Sequence, residues 1–398
     1  MAKDNFMLSM RMETLAVFRD LLEDPVMNAL KNMLYAADKA GDTMEAVRAY
    51  SSFAAALYRR SPNLSLYIRE LVLDDENFYV RAYANGRDAA PAVEESLASE
   101  LALLQELADL TSEDVQQAID YHGFLPRWET TPCDLAADYA KRLEELPQKG
   151  FGIYAKYHTF QLQGDKIVPV RYPDRQQLDD LFGYERERRQ IITNVEALLS
   201  GRGCNNMLLY GDAGTGKSST IKAVANAYAD QGLRLLEVKK NQIEKIPAIS
   251  DDLASLPLKF ILFIDDLSFA GGDDNFSALK AILEGSVSSG GDNTAIFATS
   301  NRRHLIRESM QDRTGDDLHV NDTLQETSSL AARFGLTIVF QRPDREGYLA
   351  IVDELAKRYG LDMAPEELHQ KAETHALRHN GRTPRLAKQF VELLKSGL

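Results

Sequence analysis

The stretch Met207-Leu208-Leu209-Tyr210-Gly211-Asp212-Ala213-Gly214-Thr215-Gly216-Lys217-Ser218-Ser219-Thr220 constrains this chain more than any other. A short apolar run leads into Gly-x-x-x-x-Gly-Lys-Ser, and a helical pattern follows. Strand before and helix after is the context in which this spacing marks a phosphate-binding loop. Gly211, Gly214 and Gly216 let the backbone turn tightly with its N–H groups facing inward. Those groups and the N-terminus of the next helix make a cradle for phosphate. The candidate nucleotide-binding residues are Gly211, Asp212, Ala213, Gly214, Thr215, Gly216, Lys217, Ser218 and Ser219. Lys217 brings positive charge to the β- and γ-phosphates, and the Ser218 hydroxyl is a Mg²⁺ ligand.

Strand and helix patterns alternate around this loop. Strands are expected at Leu233–Val238, Phe260–Ile264, Thr294–Thr299 and Leu336–Phe340, with helices at Lys217–Asp230, Asn275–Ser288 and around Leu324–Arg333. The continuous apolar run Phe260-Ile261-Leu262-Phe263-Ile264 suits a parallel strand buried on both faces. The alternation predicts a parallel sheet covered by helices. Three further helical patterns close the chain, at Asp344–Tyr359, Pro365–His379 and Thr383–Leu394.

Two strands end in polar residues, at the edge of an open sheet where ligands bind. Asp265 ends the buried run and is placed to hold Mg²⁺, directly or through water. Asp266 is placed to orient or deprotonate an attacking water. Asn301 follows Thr299-Ser300, and its amide suits the γ-phosphate or that water, the alternative being a turn-forming Asn. Arg333 precedes the last strand and would point from the domain edge toward a neighbouring subunit, the alternative being a surface salt bridge. Thr383 suits an N-cap and Pro384 the first helical position. Arg385 then falls in a first turn, where a cation opposes the helix dipole. That conflict points to a phosphate-facing role, with packing as the alternative.

The first half differs. Helical patterns run Met12–Leu22, Val26–Ala40, Asp42–Arg60, Leu64–Leu73 and Val93–Leu110, and Thr111 to Asp114 reads as a capping box. His122 stands alone and Trp128 suits a core. Residues 1–147 are expected to be an all-helical interaction or regulatory domain. Residues 148–177 form a linker with extended segments at Phe151–His158 and Ile167–Val170, 178–342 the α/β core, and 343–398 a helical lid. The formal net charge of −14 disfavours non-specific nucleic-acid binding. Two cysteines, Cys133 and Cys204, argue against a disulfide framework or zinc site. The first twelve residues carry charges and lack a secretory apolar core, and no apolar run approaches the ~20 residues of a membrane span. A cytoplasmic protein without membrane partners is expected.

Taken together these motifs resemble an AAA+ ATPase from about Leu178 to the C-terminus. Gly211–Ser218 matches Walker A, Asp265-Asp266 Walker B, and Asn301 sensor 1. Ala332-Arg333-Phe334 matches the arginine-finger position, and Gly381-Arg382-Thr383-Pro384-Arg385 matches sensor 2 at Arg385. Leu181-Phe182-Gly183-Tyr184 before a helix resembles the segment that packs on adenine, which adds Gly183 and Tyr184 to the candidates. Over its whole length the chain looks like an uncharacterised bacterial family of AAA+ ATP-binding proteins, from which no molecular role follows. Many AAA+ proteins carry Asp-Glu at Walker B. Asp-Asp occurs in the replication-initiator and helicase-loader branch, and the shorter Asp266 implies slow turnover.

The resemblance implies a P-loop NTPase core with a helical lid, ATP and Mg²⁺ as cofactors, and slow, oligomer-dependent hydrolysis. Asp266, Asn301, Arg333 and Arg385 are the candidate catalytic residues, and Ser218 and Asp265 the metal ligands. Expected partners are other copies of the chain in an ATP-dependent homo-oligomer, a hexamer among the options, and a protein held by the N-terminal domain. Two alternatives remain: a helicase-loader-like ATPase linked to nucleic acid, which the acidic balance disfavours, and a non-hydrolysing ATP-dependent switch. Lys239–Pro257 lacks the aromatic-apolar-Gly tripeptide of threading unfoldases. Arg302-Arg303-His304 reads as a solvated or interface segment, and Arg307–Glu326 as a polar loop near a subunit interface.

Overall fold

The computed structural model describes residues 4–37, 42–269, 273–285, 293–301, 330, 332–379 and 381–397. Arg302-Arg303-His304, the polar stretch 307–326, and parts of the expected helices at Asn275–Ser288 and Leu324–Arg333 lie outside these residues. The chain forms two compact units, Met1–Ala155 and Lys156–Leu398.

The first unit is built from helices that include Pro25–Ala37, Thr43–Tyr58, Leu64–Asp74, Pro91–Ala108 and Leu135–Glu144, with no strand among its described residues beyond a single Asn63–Glu129 bridge. Phe18, Leu30, Leu34, Phe53, Leu57, Ile68, Leu104 and Leu107 form its core. Trp128 is buried, meets Phe53 edge-on at 5.0 Å, and donates its indole N–H to the Leu110 carbonyl at 2.8 Å. Thr111 and Asp114 make the reciprocal capping bonds. The expected helix Met12–Leu22 is not there. A helix Asn5–Met12 and a 3₁₀ turn Arg19–Glu23 take its place. The buried Glu100 carboxylate accepts the backbone N–H groups of Ala16, Val17 and Phe18 at 2.9–3.1 Å. A charged acceptor from a distant helix thus takes donors that local helix formation would have used.

The second unit contains a seven-stranded sheet: β1 (Thr159–Gln163), β2 (Lys166–Pro169), β3 (Met207–Gly211), β4 (Leu233–Glu237), β5 (Lys259–Ile264), β6 (Thr294–Ser300) and β7 (Leu336–Phe340). The order is β2-β1-β4-β5-β6-β3-β7. Among the described residues only the β1–β2 pair is antiparallel. Two expectations are corrected around the boundary between the units. Ile153–Lys156 is a helical turn and not extended, because Gly150 and Gly152 turn the chain at positive φ just before it. The segment read as a linker contributes β1 and β2 to the sheet edge, where β1 pairs with β4 over Thr159–Gln161.

β5 runs between β4 and β6, and β3 between β6 and β7. Leu209, Ile261, Phe263, Phe297 and Ile338 pack with Ile191, Val195, Ile221 and Val224 from the helices Glu185–Leu199 and Lys217–Ala227. Burying each such side chain contributes roughly 1.5–3 kcal/mol. This is the α/β P-loop NTPase fold expected from the sequence. The helices Arg345–Tyr359, Pro365–Arg378 and Pro384–Lys395 follow β7 and share their own core of Tyr348, Val352, Leu355, Leu368, Phe390 and Val391. No helix among the described residues is long and apolar enough to cross a membrane.

Candidate nucleotide-binding site

β3 delivers the chain to the loop, and the loop delivers it to the helix Lys217–Ala227. Gly211 has φ +140°, and a β-carbon there would lie 2.1 Å from the Phe340 carbonyl oxygen on β7. Backbone cannot yield as a side-chain tip can. Gly211→Ala is therefore expected to cost about 2 kcal/mol or more, a fall in Tm of roughly 4–8 °C by thermal denaturation. An unchanged Tm would contradict this close approach. Gly214, at φ +79°, lets the loop pass close beneath Thr383 and Arg385, and its carbonyl accepts the Arg385 N–H at 3.2 Å. Gly216 caps the helix without a side-chain bond, which leaves the N-terminal donors for an anion.

Lys217 is buried, and its ammonium donates to the carbonyls of Gly211 at 2.9 Å and Asp212 at 2.7 Å and to Asn301 Oδ1 at 3.0 Å. Burial holds it below the usual lysine range, while Asp212, Asp265 and Asp266 pull the other way. Ser218 Oγ donates to Asp265 Oδ1 at 2.6 Å. The same carboxylate oxygen accepts the Thr299 hydroxyl at 2.5 Å and the Asp266 N–H at 3.1 Å. Asn301 Nδ2 donates to Asp266 Oδ1 at 2.8 Å. One bonded chain therefore runs from Lys217 through Asn301 to Asp266, and a second joins Ser218, Asp265 and Thr299. The β5–β6 register pairs Ile264 with Ala298, so the polar residues after each strand fall side by side.

These residues line a cavity of about 240 Å³ with Ala213, Gly214, Gly216, Ser219 and Arg385. A second cavity, about 230 Å³, shares Gly214, Gly216, Ser219 and Arg385 with the first. Its far wall is more apolar, with Leu181, Phe182, Tyr184, Ile351 and Leu355. Polar groups at one end and an apolar slot at the other match the two halves of a nucleotide. Tyr184 stacks on Phe340 with ring centroids 5.0 Å apart, and its hydroxyl donates to the Gln341 carbonyl at 2.6 Å. Gly183 does not line the cavity. It turns the chain at φ +74° beside Ile351, and its carbonyl accepts from Arg188.

Ser218 and Asp265 form an all-oxygen pair of the kind Mg²⁺ prefers. The serine proton is committed to Asp265, which leaves the oxygen lone pairs for a cation. The donor set thus fits that ion.

The structure brings Asp265, Asp266, Asn301 and Arg385 together with the loop. Four predicted residues line neither cavity: Gly183 and Gly211, which shape the backbone beside them, and Asp212 and Arg333. Asp212 does not line either cavity; its carboxylate accepts the Arg342 N–H at 3.1 Å and lies 3.7 Å from the Arg342 guanidinium. Arg333 pairs with Glu284, donating from Nε at 2.6 Å, and does not line the phosphate cavity of its own chain. Sequence reasoning missed Thr299, Arg188, Ile351, Leu355 and Lys388 as site residues. Two had a signal: Thr299 is two strand positions before Asn301, and Lys388 is three helical positions after Arg385.

A family model described as "Protein of unknown function (DUF815)" matches residues 154–398. The replication factor C large subunit of Staphylothermus marinus is 30% identical over 112 residues, which is 26% of this chain and 26% of that one. The chain thus spans about a quarter of that relative. Among solved structures, the Thermotoga maritima RuvB Holliday junction branch migration motor is 18% identical, with a TM-score of 0.38 over 56% of this chain and 64% of that chain. AMPPCP-bound DnaA from Aquifex aeolicus is 18% identical, with a TM-score of 0.38 over 57% of this chain and 67% of that chain.

Proposed function

Because the chain belongs to DUF815, a family whose description names no activity, we propose from the site itself that it is a Mg²⁺-dependent AAA+ ATPase. The observation that carries this reading is the pair of bonded chains, Lys217–Asn301–Asp266 and Ser218–Asp265–Thr299, meeting in one cavity at an uncapped helix N-terminus. A non-hydrolysing phosphate site needs the cradle and the cation. It does not need a second carboxylate held by an amide beside it.

In this reading the phosphates displace the carbonyls that now hold the Lys217 ammonium, and the burial of Lys217 strengthens its attraction for them. Ser218 and Asp265 hold Mg²⁺, which neutralises phosphate charge when bound. Asp266 accepts a proton from, or orients, the attacking water. Asn301, bonded to both Asp266 and Lys217, keeps that water in register with the terminal phosphate. Arg385 lies between the two cavities, where its guanidinium can meet the phosphate chain within the same subunit. Mg²⁺-dependent phosphate release by the purified chain tests the assignment.

Arg333 acts across a subunit boundary in this account, and Glu284 holds it when no neighbour is present. Arg333→Ala is expected to lower turnover about 10²-fold or more while the variant still binds ATP. Mixing it with Lys217→Ala should restore part of the activity, since each chain supplies what the other lacks. Mixtures no more active than either variant would contradict action in trans.

The first unit is proposed to hold a protein that nucleotide state switches or remodels. Of the chain's 46 Lys and Arg and 60 Asp and Glu, residues 1–155 carry 15 and 26, leaving 31 and 34 to the rest. The net charge of −14 therefore divides into −11 for the helical unit and −3 for the rest, which supports a protein partner for the helical unit over nucleic acid. Capture with an Asp266→Asn chain in ATP, followed by identification of what ADP releases, tests this.

A further inference from the structure

We infer that Thr299 is a positioning residue for hydrolysis, acting through the Asp265-Asp266 pair. The inference rests on the ATPase reading and names a residue that its motifs leave out. Thr299 is 2% exposed, and its hydroxyl makes two bonds at once. It donates its single proton to Asp265 Oδ1 at 2.5 Å, and its oxygen accepts the Asp266 N–H at 3.0 Å. The methyl group can do neither, so the chemistry at this position belongs to the hydroxyl.

Both bonds act on the candidate catalytic carboxylates. Asp265 Oδ1 already accepts the Ser218 hydroxyl, and the second hydroxyl fixes the carboxylate's rotation about its side-chain bond. Asp266 stands in the left-handed region at φ +51°, one of two described non-glycine residues with positive φ. That conformation is disfavoured for a side chain and needs support from its surroundings. Its N–H is held by Thr299 Oγ1 and Asp265 Oδ1 together. The turn in turn puts the Asp266 carboxylate where Asn301 can bond it. β6 and the residue just after it thus serve the two acids: Thr299 bonds Asp265 and the Asp266 backbone, and Asn301 bonds the Asp266 side chain. Leu267 N–H to Thr299 O at 2.7 Å keeps the two chain segments in step.

Thr299→Val keeps the branched shape and removes only the hydroxyl, whereas Thr299→Ser keeps the hydroxyl. ATP affinity is measured in EDTA and in Mg²⁺, and phosphate release is measured at saturating Mg²⁺-ATP. A hydrogen bond to a charged group is worth about tenfold or more, so Thr299→Val should lose at least about tenfold in phosphate release. Its gain in ATP affinity on adding Mg²⁺ should shrink, while affinity in EDTA stays within about twofold of wild type. Thr299→Ser should recover turnover to within about threefold of wild type. Wild-type turnover in Thr299→Val, or Thr299→Ser no better than Thr299→Val, would overturn the inference and leave the ATPase reading standing. A wild-type chain that binds no ATP would overturn both. A wild-type chain that binds Mg²⁺-ATP but releases no phosphate would likewise overturn both, since Thr299 would then have no hydrolysis to serve.

Discussion

Lys217→Ala is expected to weaken ATP binding by about 10²-fold or more, with the fold retained. The ammonium is buried and now has three oxygen acceptors, two of them loop carbonyls. On binding, charged phosphate oxygens replace neutral ones, and each charge-assisted bond is worth about 1.5–3 kcal/mol. Two such bonds amount to roughly 10²–10⁴ in affinity at about 1.4 kcal/mol per tenfold. Calorimetric titration of ATP reads the loss directly. Circular dichroism and Tm separate it from unfolding, since Lys217 also ties down the Gly211 and Asp212 carbonyls. Lys217→Arg should not rescue, because a planar guanidinium does not fit a pocket closed by two carbonyls and an amide. Undiminished binding in Lys217→Ala would remove the loop from the account.

Asp266→Asn is expected to separate binding from chemistry. Asparagine matches aspartate in size, and its carbonyl can still accept from Asn301 Nδ2. What it loses is the charge and the capacity to take a proton. General-base catalysis is worth about 10²–10⁴, so phosphate release should fall by at least ~10² while ATP affinity stays within about threefold. If binding falls as far as turnover, Asp266 supports the bound cation instead, and the division of labour between Asp265 and Asp266 is wrong. The φ of +51° bears on the choice of residue too: aspartate tolerates the left-handed region better than most side chains, so the backbone here suits the Asp-Asp sequence.

The parts of this site that were legible in sequence are those whose cause is local. Gly211 to Ser218 carries its chemistry in consecutive residues, and β3 and its helix follow from the flanking apolar patterns. Arg385, which lines both cavities, is marked in sequence by its sensor 2 resemblance and by the conflict between a cation and a first turn, and Thr383 does cap that helix, accepting the Leu386 N–H at 3.3 Å. β7 falls at Leu336–Phe340, the bounds its apolar pattern indicated. Distant pairing was hidden. Glu100 lies 84 residues from the amide it captures at Ala16, so the apolar spacing of that segment read as a helix. Arg333 and Glu284 are 49 residues apart, and nothing near either announces the pair. The apolar cavity joins Leu181 and Tyr184, which the resemblance names, to Ile351, Leu355 and Lys388, which only the fold brings beside them. β1 and β2 read as a linker because an edge hairpin is short and half exposed, and only its pairing with β4 makes it part of the sheet.

The central claim is that one ATP occupies the joined cavities at Gly211–Ser218 and is hydrolysed there with Mg²⁺. Its most direct measurement is a single-turnover assay on the full chain at high protein concentration, in which bound ATP and released phosphate are counted in the same sample. The account predicts close to one ATP bound per chain, stronger binding with Mg²⁺ than with EDTA, and phosphate release that stops when Mg²⁺ is withheld. Saturable Mg²⁺-ATP binding with no phosphate released by the assembled wild-type chain would contradict hydrolysis. No saturable binding at all would contradict the site.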